Sequence, residues 1–129
     1  MANVGTRSKK LSGVLRAELF PELGYSRKVA TVTFQTTMDV GAVLQLSGGK
    51  YIWVQASGVA SLNADVVVLA ETDVELSTLN AGDQSLLVIH RTATVVDSGL
   101  LYQDALSAPQ KATVRAALEA KGIQVVTGV

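Results

Sequence analysis

A regular alternation of apolar and polar positions begins at Lys28. In KVATVTFQ, Ala30, Val32 and Phe34 fall on one side and Val29, Thr31 and Thr33 on the other, which predicts a half-buried strand of mostly strand-favouring types. GAVLQLSGGKYIWVQASG holds two short apolar runs joined by Ser47-Gly48-Gly49, where glycine supplies the positive φ of a tight hairpin. ADVVVLAE adds another run, TDVELSTLNAGDQ is a polar loop, and Leu86 to Val96, rich in β-branched residues, has the length of one long strand. Ser107-Ala108-Pro109-Gln110 has the Ser-x-x-Gln form of a capping box, with proline in the first turn, where its missing N–H costs nothing. The helix it opens runs through KATVRAALEAK to Gly122, with Val114, Ala117 and Leu118 as an apolar stripe and Lys111, Arg115 and Glu119 toward water. Ile123 to Val126 closes the chain as a short strand. The expected fold is mainly β within the α+β class: a compact barrel-like or sandwich-like domain, one helix in its C-terminal third, and an extended N-terminal arm.

The N-terminal segment has a different pattern. MANVGTRSKK has almost nothing to bury and is expected to be disordered when free. From Leu11 to Tyr25 apolar side chains appear in a segment cut by Gly13, Pro21 and Gly24, so they either pack on the body or bind something else. The division expected is an arm over residues 1–27 and a β-rich domain over 28–129.

A chain of 129 residues, 48% hydrophobic, is large enough for one domain with a real core. It has no cysteine, which removes disulfides, thiolate catalysis and the common structural zinc sites. The longest apolar run, VVVLA, is far short of the ~18 residues that span a bilayer, and Arg16 and Glu18 interrupt the stretch a secretion signal would need. No membrane partner is expected. Eleven basic side chains balance eleven acidic ones, which argues against a general nucleic-acid binder. The distribution is uneven: residues 1–28 hold six basic groups against two acidic, and the remainder five against nine.

Candidate chemistry is sparse. His90, the single histidine, precedes Asp97 and Ser98, the residue types of a hydrolytic triad. On a straight strand rising ~3.3 Å per residue, however, His90 and Asp97 would stand about 23 Å apart and face opposite sides, whereas a triad needs ~3 Å contacts. An enzyme is therefore not expected, and no cofactor or metal is implied. Gly48-Gly49-Lys50 lacks the remaining spacing of a phosphate loop and leads into a strand. Glu71, Asp73, Glu75 and Asp83 lack the pattern of a calcium loop and read as a solvated acidic loop.

In their order along the chain, GAVLQLSGGKYIWV, NADVVVLAE, LLVIHRTATVV, GLLY and KATVRAALEAKGIQVV resemble the head decoration proteins of tailed bacteriophages, over about residues 38 to 127. The resemblance implies an arm before a compact β-rich domain that ends in a helix and a short apolar strand. It also implies a structural cement protein, trimeric on the outer face of the expanded capsid, that resists internal DNA pressure. Its partners would be the major capsid protein and its own copies, and its location the virion surface. On that reading Val14, Leu15, Arg16, Leu19, Phe20, Leu23 and Tyr25 of the arm are the expected capsid-binding residues, combining apolar burial with positive charge. A tail or baseplate accessory module and another β-rich ligand-binding domain are compatible with the same composition.

Overall fold

The computed structural model describes residues 15–18, 27–71 and 76–127. Its strands are β1 (Leu15–Glu18), β2 (Arg27–Phe34), β3 (Val43–Ser47), β4 (Lys50–Trp53), β5 (Val66–Leu69), β6 (Gly82–Ile89), β7 (Ala93–Val96) and β8 (Ile123–Val126), with one helix, α1 (Ala108–Ala120). Five strands close a barrel in the order β2-β4-β3-β5-β6, and β1-β7-β8 form a separate sheet.

The barrel grows from the alternation seen in the sequence. Val32 and Phe34 are buried while Val29 is 68% exposed, so β2 turns one face inward. It pairs antiparallel with the whole of β6, from Arg27 opposite Ile89 to Phe34 opposite Gly82. The β3–β4 hairpin turns on Gly48 and Gly49, at φ 60° and 83°, with Ser47 opposite Lys50. Both central residues in the left-handed region are what a two-residue turn needs to match the strand twist. Closure comes from a parallel contact of β2 with β4 at Val32 opposite Tyr51. All four residues of β5 are buried, because α1 covers the outer face of a strand whose inner face fills the barrel.

The expected single strand from Leu86 to Val96 is two strands. Thr92 at φ 45° breaks the ladder after Ile89, and the chain leaves the barrel to begin the second sheet. A β-branched residue in the left-handed region is not readable from a run of strand formers. In that second sheet β7 is central, antiparallel to β1 (Leu15 opposite Val95, Glu18 opposite Ala93) and parallel to β8.

The helix follows its caps. Ser107 Oγ accepts from the Gln110 N–H while the Gln110 side chain accepts from the Ser107 N–H, and Gly122 leaves the helix at φ 81°. A Cβ on Gly122 would stand 3.3 Å from the Thr92 backbone nitrogen, so the helix end is pressed against the β6–β7 turn. Val114 and Leu118 are fully buried and Ala117 half-buried, as the stripe requires. Arg115 is not simply turned to water: it donates to the Val125 carbonyl at 2.7 Å on the open edge of β8.

Candidate functional site

Of the seven arm residues expected to bind a capsid, Leu15 and Arg16 lie in β1. Val14, Leu19, Phe20, Leu23 and Tyr25 lie outside the described residues. Leu15 is half-buried and packs against the core, so this part of the segment forms the sheet edge beside β7. The bulge between Leu15 and Ala17 shortens the regular pairing.

The triad types lie in different surroundings. Burial lowers the His90 pKa from its ordinary value, and the charges of Lys28, Arg91 and Lys121 push it the same way against Asp65. Asp97 instead acts on Tyr102, whose phenol is pushed up to about 12 by burial and then by that carboxylate. The straight-strand premise used to separate His90 from Asp97 fails at Thr92, but the two groups are still not joined: each answers to other neighbours.

The acidic loop divides as well. Asp73 and Glu75 lie outside the described residues. Glu71 is not solvated: it is 8% exposed and accepts from the Leu87 N–H at 2.9 Å, because it stands where β5 gives out beside β6. Asp83 pairs with Lys50 at 2.7 Å and accepts from Thr33 at 3.2 Å, which lowers its pKa. Lys50, the lysine of the Gly-Gly-Lys stretch, thus serves to tie the hairpin to β6. Among the described residues no group of three or more His, Asp or Glu side chains is placed to hold a metal ion.

One polar constellation of four side chains among the described residues was not foreseen from the sequence. Lys28 Nζ donates to Tyr51 Oη at 3.0 Å and stands 5.3 Å from the centre of its ring. Tyr51 Oη donates to Asp65 at 3.0 Å, and Lys121 Nζ reaches the other oxygen of the same carboxylate. Burial raises the Asp65 pKa, but the bonds from Lys121 and Tyr51 and the charges of both lysines outweigh it, and the net shift is downward. Burial of Tyr51, reinforced by Asp65 and opposed by Lys28, raises its phenol. The four residues come from β2, β4, the approach to β5 and the end of α1, and no local spacing links them.

Among the described residues a closed five-stranded barrel is braced by a second sheet and a helix, and the Lys50–Asp83 and Lys121–Asp65 pairs tie its elements together. The sequence profile described as Bacteriophage lambda head decoration protein D matches residues 8–123, and the chain belongs to that family. Membership places it among non-catalytic structural proteins of the phage head. No curated protein and no solved structure matches it significantly.

Proposed function

We propose that the protein is a cement protein that binds the outer surface of the expanded phage head as trimers, contacts the major capsid protein, and stabilises the shell against the pressure of packaged DNA. The observation that carries this reading is the family match, which takes in most of the arm together with the domain. The arm is the main docking element: Leu19 and Phe20 bring apolar area, Arg16 brings charge, and β1 leads into them from the sheet edge. Binding at many symmetric sites multiplies a modest contact over the whole shell.

Co-sedimentation with heads of the cognate phage tests the reading. The intact protein is expected to pellet with expanded heads and not with unexpanded ones. Deletion of residues 1–25 is expected to abolish pelleting, and Leu19→Asp with Phe20→Asp to do nearly as much while leaving β1 in place. Arg16→Ala is expected to weaken binding chiefly at low salt, because the Debye length falls from ~10 Å at 0.1 M to ~3 Å at 1 M. Equal pelleting of the deleted and intact proteins would move the docking surface to the barrel; no pelleting of the intact protein would overturn head decoration.

A further inference from the structure

After β4 the chain runs through a short 3-10 helix (Ala56–Ser61) and turns back past the β3–β4 hairpin toward β5. Gln45 of β3, directly opposite Ile52 of β4, holds this return in place: its Oε1 accepts from the Asn63 N–H at 3.0 Å. Asn63 Oδ1 in turn accepts from the Asp65 N–H at 2.7 Å, just ahead of β5. Between the hairpin and the returning chain lies an open groove of about 510 Å³, and Gln45, Ser47, Ile52, Ser61 and Asn63 are among the residues that line it. Its size is within the ~300–1,000 Å³ of small-ligand sites.

Among the described residues that line the groove, no side chain is charged. The hydrogen bonds also fix which way both amides point, because each has its oxygen taken by a backbone N–H and so turns its NH2 group away from that contact. Gln45 Nε2 lies beside Gly58, where a Cβ would stand 3.4 Å away, so the bare backbone of Gly58 leaves the amide uncovered. Ser47 and Ser61 are exposed, with hydroxyls able to donate and accept, and the half-buried Ile52 offers an apolar contact. An anion finds no cation in this lining, and a metal ion finds both amide oxygens already used. An extended peptide, with an N–H at nearly every residue, needs more acceptors than the two hydroxyl oxygens supply.

We infer that this groove binds a neutral saccharide that carries an N-acetyl group. The acetamido carbonyl accepts from the amide N–H groups of Gln45 and Asn63, the acetyl methyl packs on Ile52, and ring hydroxyls exchange hydrogen bonds with Ser47 and Ser61. A sugar hydroxyl both donates and accepts, which matches the two serines without a charge on either side. The amides need no reorientation when the sugar arrives, because the backbone already holds them, and this lowers the ordering cost of binding. The site goes beyond head decoration and does not depend on it. On a shell carrying many copies, a weak site of this kind would add up to firm attachment to a glycan-bearing surface.

The test uses the full-length protein and triacetylchitotriose, with maltotriose, which has no acetamido group, as comparison. In an NMR titration the side-chain NH2 signals of Gln45 and Asn63 should shift as triacetylchitotriose is added, and maltotriose should bind about tenfold more weakly, the loss of one hydrogen bond. Gln45→Glu and Asn63→Asp each keep the oxygen that accepts a backbone N–H and lose the NH2 group. Each should therefore melt close to the unaltered protein and lower affinity for triacetylchitotriose by about tenfold. Ser61→Ala should lower it severalfold, while Ser85→Ala, at an exposed position of β6 outside the groove, should bind as the unaltered protein does. Three outcomes would overturn the assignment: amide signals that stay in place up to the solubility limit of triacetylchitotriose, equal affinity for maltotriose, or undiminished binding by both Gln45→Glu and Asn63→Asp. Because the titration needs no phage heads, its result stands apart from the pelleting assay, and failure here leaves head decoration untouched.

Discussion

The carboxylate of Glu71 accepts a 2.9 Å hydrogen bond from the backbone N–H of Leu87, so a side chain completes the edge of a strand. Beyond the end of β5, Ala70 N–H still bonds the Leu87 carbonyl at 2.9 Å, and Glu71 supplies the acceptor that a further strand residue would have offered. Glu71→Ala is expected to destabilise the fold by about 1–3 kcal/mol, the cost of leaving a buried donor without its partner. Glu71→Gln retains a carbonyl oxygen and should lose less. Urea unfolding of the two variants measures the difference; equal stability would show that water satisfies Leu87.

The helix stripe gives a sharper contrast. Val114 and Leu118 are completely buried, so Val114→Asp or Leu118→Asp is expected to cost several kcal/mol, about the penalty for burying an unpaired charge. Arg115→Ala should cost about 1 kcal/mol, because its guanidinium holds the Val125 carbonyl as well as facing solvent. Equal tolerance of all three in thermal unfolding would mean that the stripe does not pack.

What could be read in advance was local. Alternation fixed the faces of β2, paired glycines marked the β3–β4 turn, and Ser107, Gln110 and Gly122 marked the ends of α1, since each depends on neighbours within a few residues. Barrel closure rests on one parallel contact between Val32 and Tyr51, with a whole hairpin strand between them in the chain, and leaves no periodic trace. The break at Thr92 was hidden by its strand-favouring neighbours. Glu71 is of the same residue type as the other acidic positions of its loop, and its burial follows only from where β5 stops. For the functional surface, the arm's apolar and basic character was visible, whereas the Lys28-Tyr51-Asp65-Lys121 network needed the fold to assemble it.

His90 gives a pH dependence of defined sign. Its pKa in the folded protein lies below the ordinary 6.5, through burial first and then through Lys28, Arg91 and Lys121. Above that pH both states are neutral and His90 contributes nothing to the pH dependence. As pH falls below 6.5 the unfolded chain takes up the proton first, so stability declines until the folded imidazole also titrates. Asp65 acts in a lower window: its pKa lies below the ordinary 3.8, so its stabilising effect is lost only as pH falls through the folded value. Melting temperatures measured downward from neutral pH should therefore fall in two stages, and His90→Gln should remove the first. A His90→Gln profile parallel to that of the unaltered protein would show that other groups produce it.

Removal of β1 should affect the body as well as docking. Deleting residues 1–18 takes away the half-buried Leu15 and the strand opposite Ala93, Thr94 and Val95. Loss of the Leu15 contact should cost on the order of 1 kcal/mol, a fraction of the value for a fully buried leucine. The bared side of β7 belongs to a short apolar strand in which Ala93, Val95 and Val96 are buried, and unpaired edges of this kind recruit other chains. The truncated protein is therefore expected to unfold cooperatively at a lower temperature and to associate beyond its native state as concentration rises. A synthetic peptide of residues 11–20, added in excess, should suppress that association by restoring a partner to β7. Differential scanning calorimetry and sedimentation velocity provide the two readings. Unchanged melting with unchanged sedimentation would show that β1 adds nothing to the body, and that its place beside β7 matters only to whatever the arm binds.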